Sequence, residues 1–208
     1  MAQTRAEKAE AAKQHIIQVA MELFADNGFT ATSTRKIAKA AGVSEGLVFH
    51  HFGNKLGILK GAAERSGVLA AHVVAGLAAQ PNAPISAQLT FIAHGFTSFL
   101  RGDRLEARLF RVLMAESTTN PELYALQQER TRVVVGAMSM YLASRVAAGE
   151  LRSDLVVESA AQLLLGSFLW FFLTHIHLPP EEWTEAASAH ADAVVDQWLR
   201  GALAEGVP

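Results

Sequence analysis

The chain contains no cysteine, which excludes both a disulfide framework and a thiolate metal site and fits a reducing compartment. Its first fifteen residues carry Arg5, Glu7, Lys8, Glu10 and Lys13 but no apolar stretch. No secretory signal peptide is expected there, and the expected location is the cytoplasm. There is no G-x-S-x-G elbow, no phosphate loop and no paired His/Glu metal motif, so neither an enzyme, a catalytic residue nor a cofactor is expected. Of the eight histidines none forms an i, i+4 pair. His50 and His51 are adjacent and His175 and His177 two apart, positions that diverge on a helix, so no metal site is expected. The one stretch that could suggest a membrane span also falls short. The apolar stretch LLLGSFLWFFL covers Leu163–Leu173, against roughly 20 residues for a span, and predicts a buried or interface helix with no membrane partner.

Lysine disappears after Lys60. Residues 1–60 hold eight Lys/Arg against five Asp/Glu, a net +3, and the rest of the chain is −5. A basic head on an acidic body suits a DNA-binding module joined to a different function, because positive charge is needed only where phosphates are touched.

What is present is helical periodicity. Ile16, Ala20, Leu23 and Phe24 recur at helix spacing, and Asn27-Gly28 should stop that helix with a glycine cap. Thr32 or Ser33 can cap a second helix through Ile37 and Ala38 to Ala41, broken at Gly42. Ser44 can cap a third that holds Leu47, Val48 and Phe52 and ends at Gly53-Asn54. Longer helices are predicted over 55–79, 85–101, 104–117, 121–148, 154–177 and 181–204, separated by Pro81 and Pro84, Gly102-Asp103, Asn120-Pro121, Gly149 and Pro179-Pro180. No stretch reads as a strand, and there is no internal repeat. The expected fold is all-α, with a three-helix DNA-binding domain over 1–53 and a larger helical-bundle domain for ligand binding and dimerisation over 54–208.

Within Thr32–Lys55 the spacing meets the needs of a helix-turn-helix. Ile37, Ala38, Ala41, Val43, Val48 and Phe52 can form a small core around the Gly42 turn. The third helix then presents Glu45, Gly46, Leu47, Phe49 and His50. Gly46 lets the backbone approach the major-groove floor, Leu47 can touch a thymine methyl, and Ser44 with the helix N-terminus can face phosphate. In the body Phe96, Phe110, Met114, Met138, Tyr141, Trp170 and His175 are candidates to line a site for an apolar or aromatic molecule, with His94 or Gln162 as further orienting groups. Packing is the competing role for each of them.

The run AMELFADNGF followed by ATSTRKIAKAAGVSEGLVFHHFGNK resembles the TetR family of bacterial transcriptional regulators (AcrR-like), closely over residues 10–60. The later chain resembles it in helix count and in the GELRSDL turn at Gly149–Leu155. The resemblance implies an all-α homodimer that binds double-stranded operator DNA and answers to a small-molecule effector. Residue by residue, it implies phosphate or base contacts at Thr32, Ser33 and Arg35, at Ser44, Gly46, Leu47, Phe49 and His50, and at Lys55. Phe49 stands where the family usually has tyrosine, so a phenolic bond to phosphate is missing. Glu45 replaces a commoner lysine or small residue, and either repels the backbone or accepts from a cytosine amino group. The last two helices carry excess apolar surface, with Ala160, Ala161, Gly166, Ala186, Ala187 and Ala193 permitting close approach, which predicts dimerisation there. The fourth helix, near Lys55 to Ala79, is expected to act as the lever between effector and DNA. A helical DNA-binding dimer with no ligand response is the alternative, and an enzyme of unknown class a more distant one.

Overall fold

The fold comes from a computed structural model, in which the structure describes residues 4–65 and 83–202. Among these residues the elements are α1 (Arg5–Asn27), α2 (Thr34–Ala40), α3 (Glu45–Phe52), α4 (Lys55–Arg65), α5 (Ile85–Arg101), α6 (Leu105–Ser117), α7 (Pro121–Ala147), α8 (Val157–His175) and α9 (Pro180–Ala202), with no strand. The all-α expectation holds. Residues 66–79 of the predicted fourth helix, Pro81, and residues 203–204 of the predicted last helix lie outside the described residues.

The chain divides into two compact units: Met1–Gly67 with Asp103–Gln128, and Val68–Gly102 with Glu129–Pro208. In the first, α1 opens on a capping box in which Thr4 and Glu7 satisfy each other's backbone N–H. It ends at Gly28, whose φ of 78° with ψ 167° is open in practice only to glycine. The turn after α2 closes with Gly42 N–H donating to Lys39 O and Val43 N–H to Ala38 O, the paired bonds of a Schellman motif, with Gly42 at φ 66°. Ile16, Ile17, Phe24, Ile37, Ala38, Ala41, Val48, Ile58 and Leu59 share one core, with Val43 and Phe52 partly buried at its edge. Leu109 and Leu113 of α6 and Leu123 of α7 are buried in that same core. Residues 103–128 therefore complete the head rather than only connecting elements of the body.

In the second unit α9 packs along α5 and α8, and α5 along α8. The helix α8 starts at Val157, three residues later than its periodicity suggests. Residues before it are held in a turn, with Leu155 N–H on Arg152 O and Arg152 N–H on Ala202 O. By length and composition α8 alone among the described residues could cross a membrane. Ala160, Ala161, Leu164, Leu165, Phe168, Phe171 and Phe172 bury one of its faces in the unit, as in the core helix of a bundle.

Candidate nucleic-acid interface

Both helices of the turn motif begin on a serine cap. The Ser33 side chain accepts from Lys36 N–H at 3.1 Å and Ser44 from Leu47 N–H at 3.2 Å, each replacing water at a free helix donor. Arg35, Lys36 and Lys39 stand exposed on α2. On α3 the buried Val48 turns Gly46, Phe49 and His50 outward, with Phe49 47% exposed, while Leu47 is half-buried. A side chain at Gly46 would find only Ser44 Oγ near, at 3.9 Å, so this part of α3 presents bare backbone.

Three of the expected contact residues are engaged inside the head. Thr32 is fully buried, its hydroxyl donating to Gly28 O at 2.8 Å and Leu23 O at 3.2 Å. It closes the end of α1, and Ser33 alone caps α2. Lys55 donates to Phe29 O at 2.8 Å and sits 4.2 Å over the Phe29 ring, which pins the start of α4 to the loop after α1. Glu45 accepts from the Thr34 hydroxyl at 2.7 Å. Thr34 was not among the sequence candidates, since nothing in an eleven-residue separation signals that bond.

The effector candidates fall in both units. Phe110 and Met114 belong to the first, and Phe96, Met138, Tyr141, Trp170 and His175 to the second. Phe96 and Met138 are buried, and Tyr141 donates to Gln88 Oε1, which also accepts from Arg145 at 2.6 Å. Burial pushes the Tyr141 phenol above its ordinary range, with the Arg145 charge opposing. Trp170 lies on the outside, 67% exposed. His175 stacks on Phe171 at 4.3 Å and His190 on that ring's other face at 4.5 Å. No group of three His, Cys, Asp or Glu able to hold a metal occurs among the described residues.

A capped two-helix turn, cations on its first helix and an outward face on its second define a helix-turn-helix DNA-binding protein with an all-helical body. The sequence profile of the bacterial regulatory proteins of the tetR family matches residues 16–62, and that of the AefR-like transcriptional repressor C-terminal domain matches 87–205. The chain belongs to the TetR family and is a DNA-binding transcriptional regulator. The HTH-type transcriptional regulator AcrR of Shigella flexneri is 26% identical over 170 residues, covering 80% of this chain and 79% of its own. A TetR-family regulator from Mesorhizobium loti superposes with a TM-score of 0.81 at 20% identity, over 97% of this chain and 100% of its own. FadR from Bacillus subtilis, solved with stearoyl-CoA, gives 0.67 at 22% identity over 90% and 98%. At these identities the two structures speak for the fold.

Proposed function

We propose that the protein works in the cytoplasm as a homodimer that represses transcription from a palindromic operator and is released by a small apolar or aromatic molecule. The observation that carries this reading is the match of its body, residues 87–205, to a repressor's C-terminal domain behind a tetR-type head. Residues 1–53 would make the DNA contacts, and 54–208 would supply ligand binding and dimerisation as well as the part of the head's core that α4, α6 and Leu123 contribute. The α3 face of Gly46, Leu47, Phe49 and His50 would enter the major groove, with Ser33, Arg35 and Ser44 toward the backbone and Lys55 bracing the start of α4 on Phe29.

Support for the dimer comes from α8, whose outer face leaves Leu163, Gly166, Trp170 and Leu173 exposed, at one-turn spacing. Burying a large apolar side chain gains about 1.5–3 kcal/mol, so a second copy of the same face is the natural cover. An effector in the body would draw on Phe96, Met138 and Tyr141. The FadR relative solved with an acyl-CoA supports an apolar ligand. Such a ligand lowers operator affinity only by its preference for the DNA-incompetent state. Light scattering and operator binding with and without candidate ligands test the reading. A monomer at micromolar concentration removes the dimer, and an operator complex that no apolar ligand weakens leaves a purely structural body.

A further inference from the structure

We propose that Glu45 is a positioning residue of the DNA-binding head: the Thr34 hydroxyl holds its carboxylate at the seam of α2 and α3, so that it neither reads a base nor pairs with the cations that meet phosphate. The inference rests on the DNA-binding reading above. Thr34 is the first residue of α2 and Glu45 the first of α3, so their 2.7 Å bond ties the starts of the two helices across the Gly42 turn. A hydrogen bond to an ionised carboxylate is among the stronger neutral-donor bonds, and this one is partly buried.

The charge around it gives the bond its consequence. Glu45 is the only acid in residues 33–54, a stretch that also holds Arg35, Lys36 and Lys39. No ion pair joins Glu45 to any of these three among the described residues. A loose carboxylate at the first turn of the recognition helix would pair with one of them or face the DNA backbone, and either cancels a phosphate contact. Anchored on a neutral hydroxyl, it leaves all three cations available. Reading a cytosine amino group would require the carboxylate to project with the outward face of α3, whereas one of its oxygens is committed toward α2.

The test uses the full-length protein and four forms: wild type, Thr34→Val, Glu45→Gln and the double variant. Their affinities are measured by fluorescence anisotropy on a selected operator, on its single-base-pair variants and on scrambled duplex, over a salt series, with folding checked by circular dichroism. Glu45→Gln keeps an amide oxygen for Thr34, and should tighten operator and scrambled DNA alike by about threefold while leaving the preference at every base pair in place. Thr34→Val should weaken both duplexes by about threefold and lower the salt slope by up to about one, as the freed carboxylate takes a cation out of use. Adding Glu45→Gln to Thr34→Val should restore most of that loss, a rescue that a purely structural role for Thr34 would not show. A changed base preference in Glu45→Gln, a Thr34→Val protein that binds like wild type, or a Thr34→Val loss that the second substitution leaves intact would each overturn the proposal. Wild-type protein without any sequence preference would instead sink the DNA-binding reading itself. The bond would then still be read in urea, where it predicts that Thr34→Val and Glu45→Ala shift the unfolding midpoint by less together than the two do separately.

Discussion

A Cβ added to Gly57 would stand 2.0 Å from the carbonyl oxygen of Phe52. The start of α4 therefore folds over the end of α3 with no room for a side chain. Asn54 holds it there, its Oδ1 accepting from Gly57 N–H at 2.8 Å. Alanine is normally the better helix former by about 1 kcal/mol, but at Gly57 the obstacle is backbone and cannot swing aside. Gly57→Ala should destabilise the head by about 1–3 kcal/mol and weaken DNA binding. Gly61, where the same atom would meet Ile17 Cδ1 at 3.4 Å, serves as the control, and Gly61→Ala should be neutral or stabilising. Urea unfolding of both variants makes the comparison. A stabilised Gly57→Ala would contradict the close approach.

Thr32 and Ser33 separate stability from the helix start. Replacing Thr32 by Val removes a donor from the half-buried Gly28 carbonyl, while Leu23 O keeps the Asn27 amide, and should cost about 1–2 kcal/mol, with DNA affinity per folded molecule unchanged. Ser33→Ala removes the α2 cap and should cost about 1 kcal/mol. Thermal melts read the first effect, and anisotropy corrected for the folded fraction reads the second property. A Thr32→Val protein of full stability and lowered affinity would return Thr32 to the DNA face.

Helix positions were largely legible in the sequence, because serine caps, glycine stops and prolines act locally and mark their own places. What was not legible depends on contacts between distant segments. Two neighbouring hydroxyls, Thr32 and Ser33, are equivalent cap candidates until the carbonyls of Leu23 and Gly28 are brought beside one of them. Trp170 and Phe171 are adjacent aromatics on α8, yet one points out and the other is sandwiched by His175 and His190. Lys55 reads as a free cation until the loop after α1 offers it Phe29. Ahead of the late start of α8, Arg152 N–H is bonded to Ala202 O, fifty residues away, a partner that local spacing does not signal.

The head also depends on residues far outside its motif. Leu123 is fully buried in the core built by Ile16, Phe24 and Ile58. Lys60 reaches Glu122 at 2.5 Å, and Arg108 pairs with Asp26. Leu123→Ala should cost about 2–5 kcal/mol and abolish DNA binding at temperatures where the wild type still binds. The Lys60–Glu122 pair is exposed, so Glu122→Gln should cost below about 1 kcal/mol. Differential scanning calorimetry of the two variants checks the order. A Leu123→Ala head as stable as wild type would separate residues 103–128 from it.

The outer face of α8 gives a test of assembly. Leu163 and Trp170 make few contacts within the chain, being 71% and 67% exposed. Leu163→Glu and Trp170→Glu should therefore leave the secondary structure intact while shifting the protein to monomer, and operator affinity should fall with the loss of the second head. Analytical ultracentrifugation reads the outcome. Dimers that survive both substitutions would place the interface elsewhere.

Selection of bound duplexes from a random DNA library by the full-length protein shows whether α3 of two paired subunits reads a specific sequence. Paired docking of α3 predicts enrichment of an inverted repeat whose half-sites lie about 34–36 Å apart, or a multiple of that distance. It also predicts that Leu47→Ala or His50→Ala changes the bases enriched within each half-site, whereas Arg35→Ala weakens binding to every sequence and lowers the salt slope by about one. No enrichment, or a half-site that stays the same when Leu47 and His50 are both replaced in a folded protein, would contradict it.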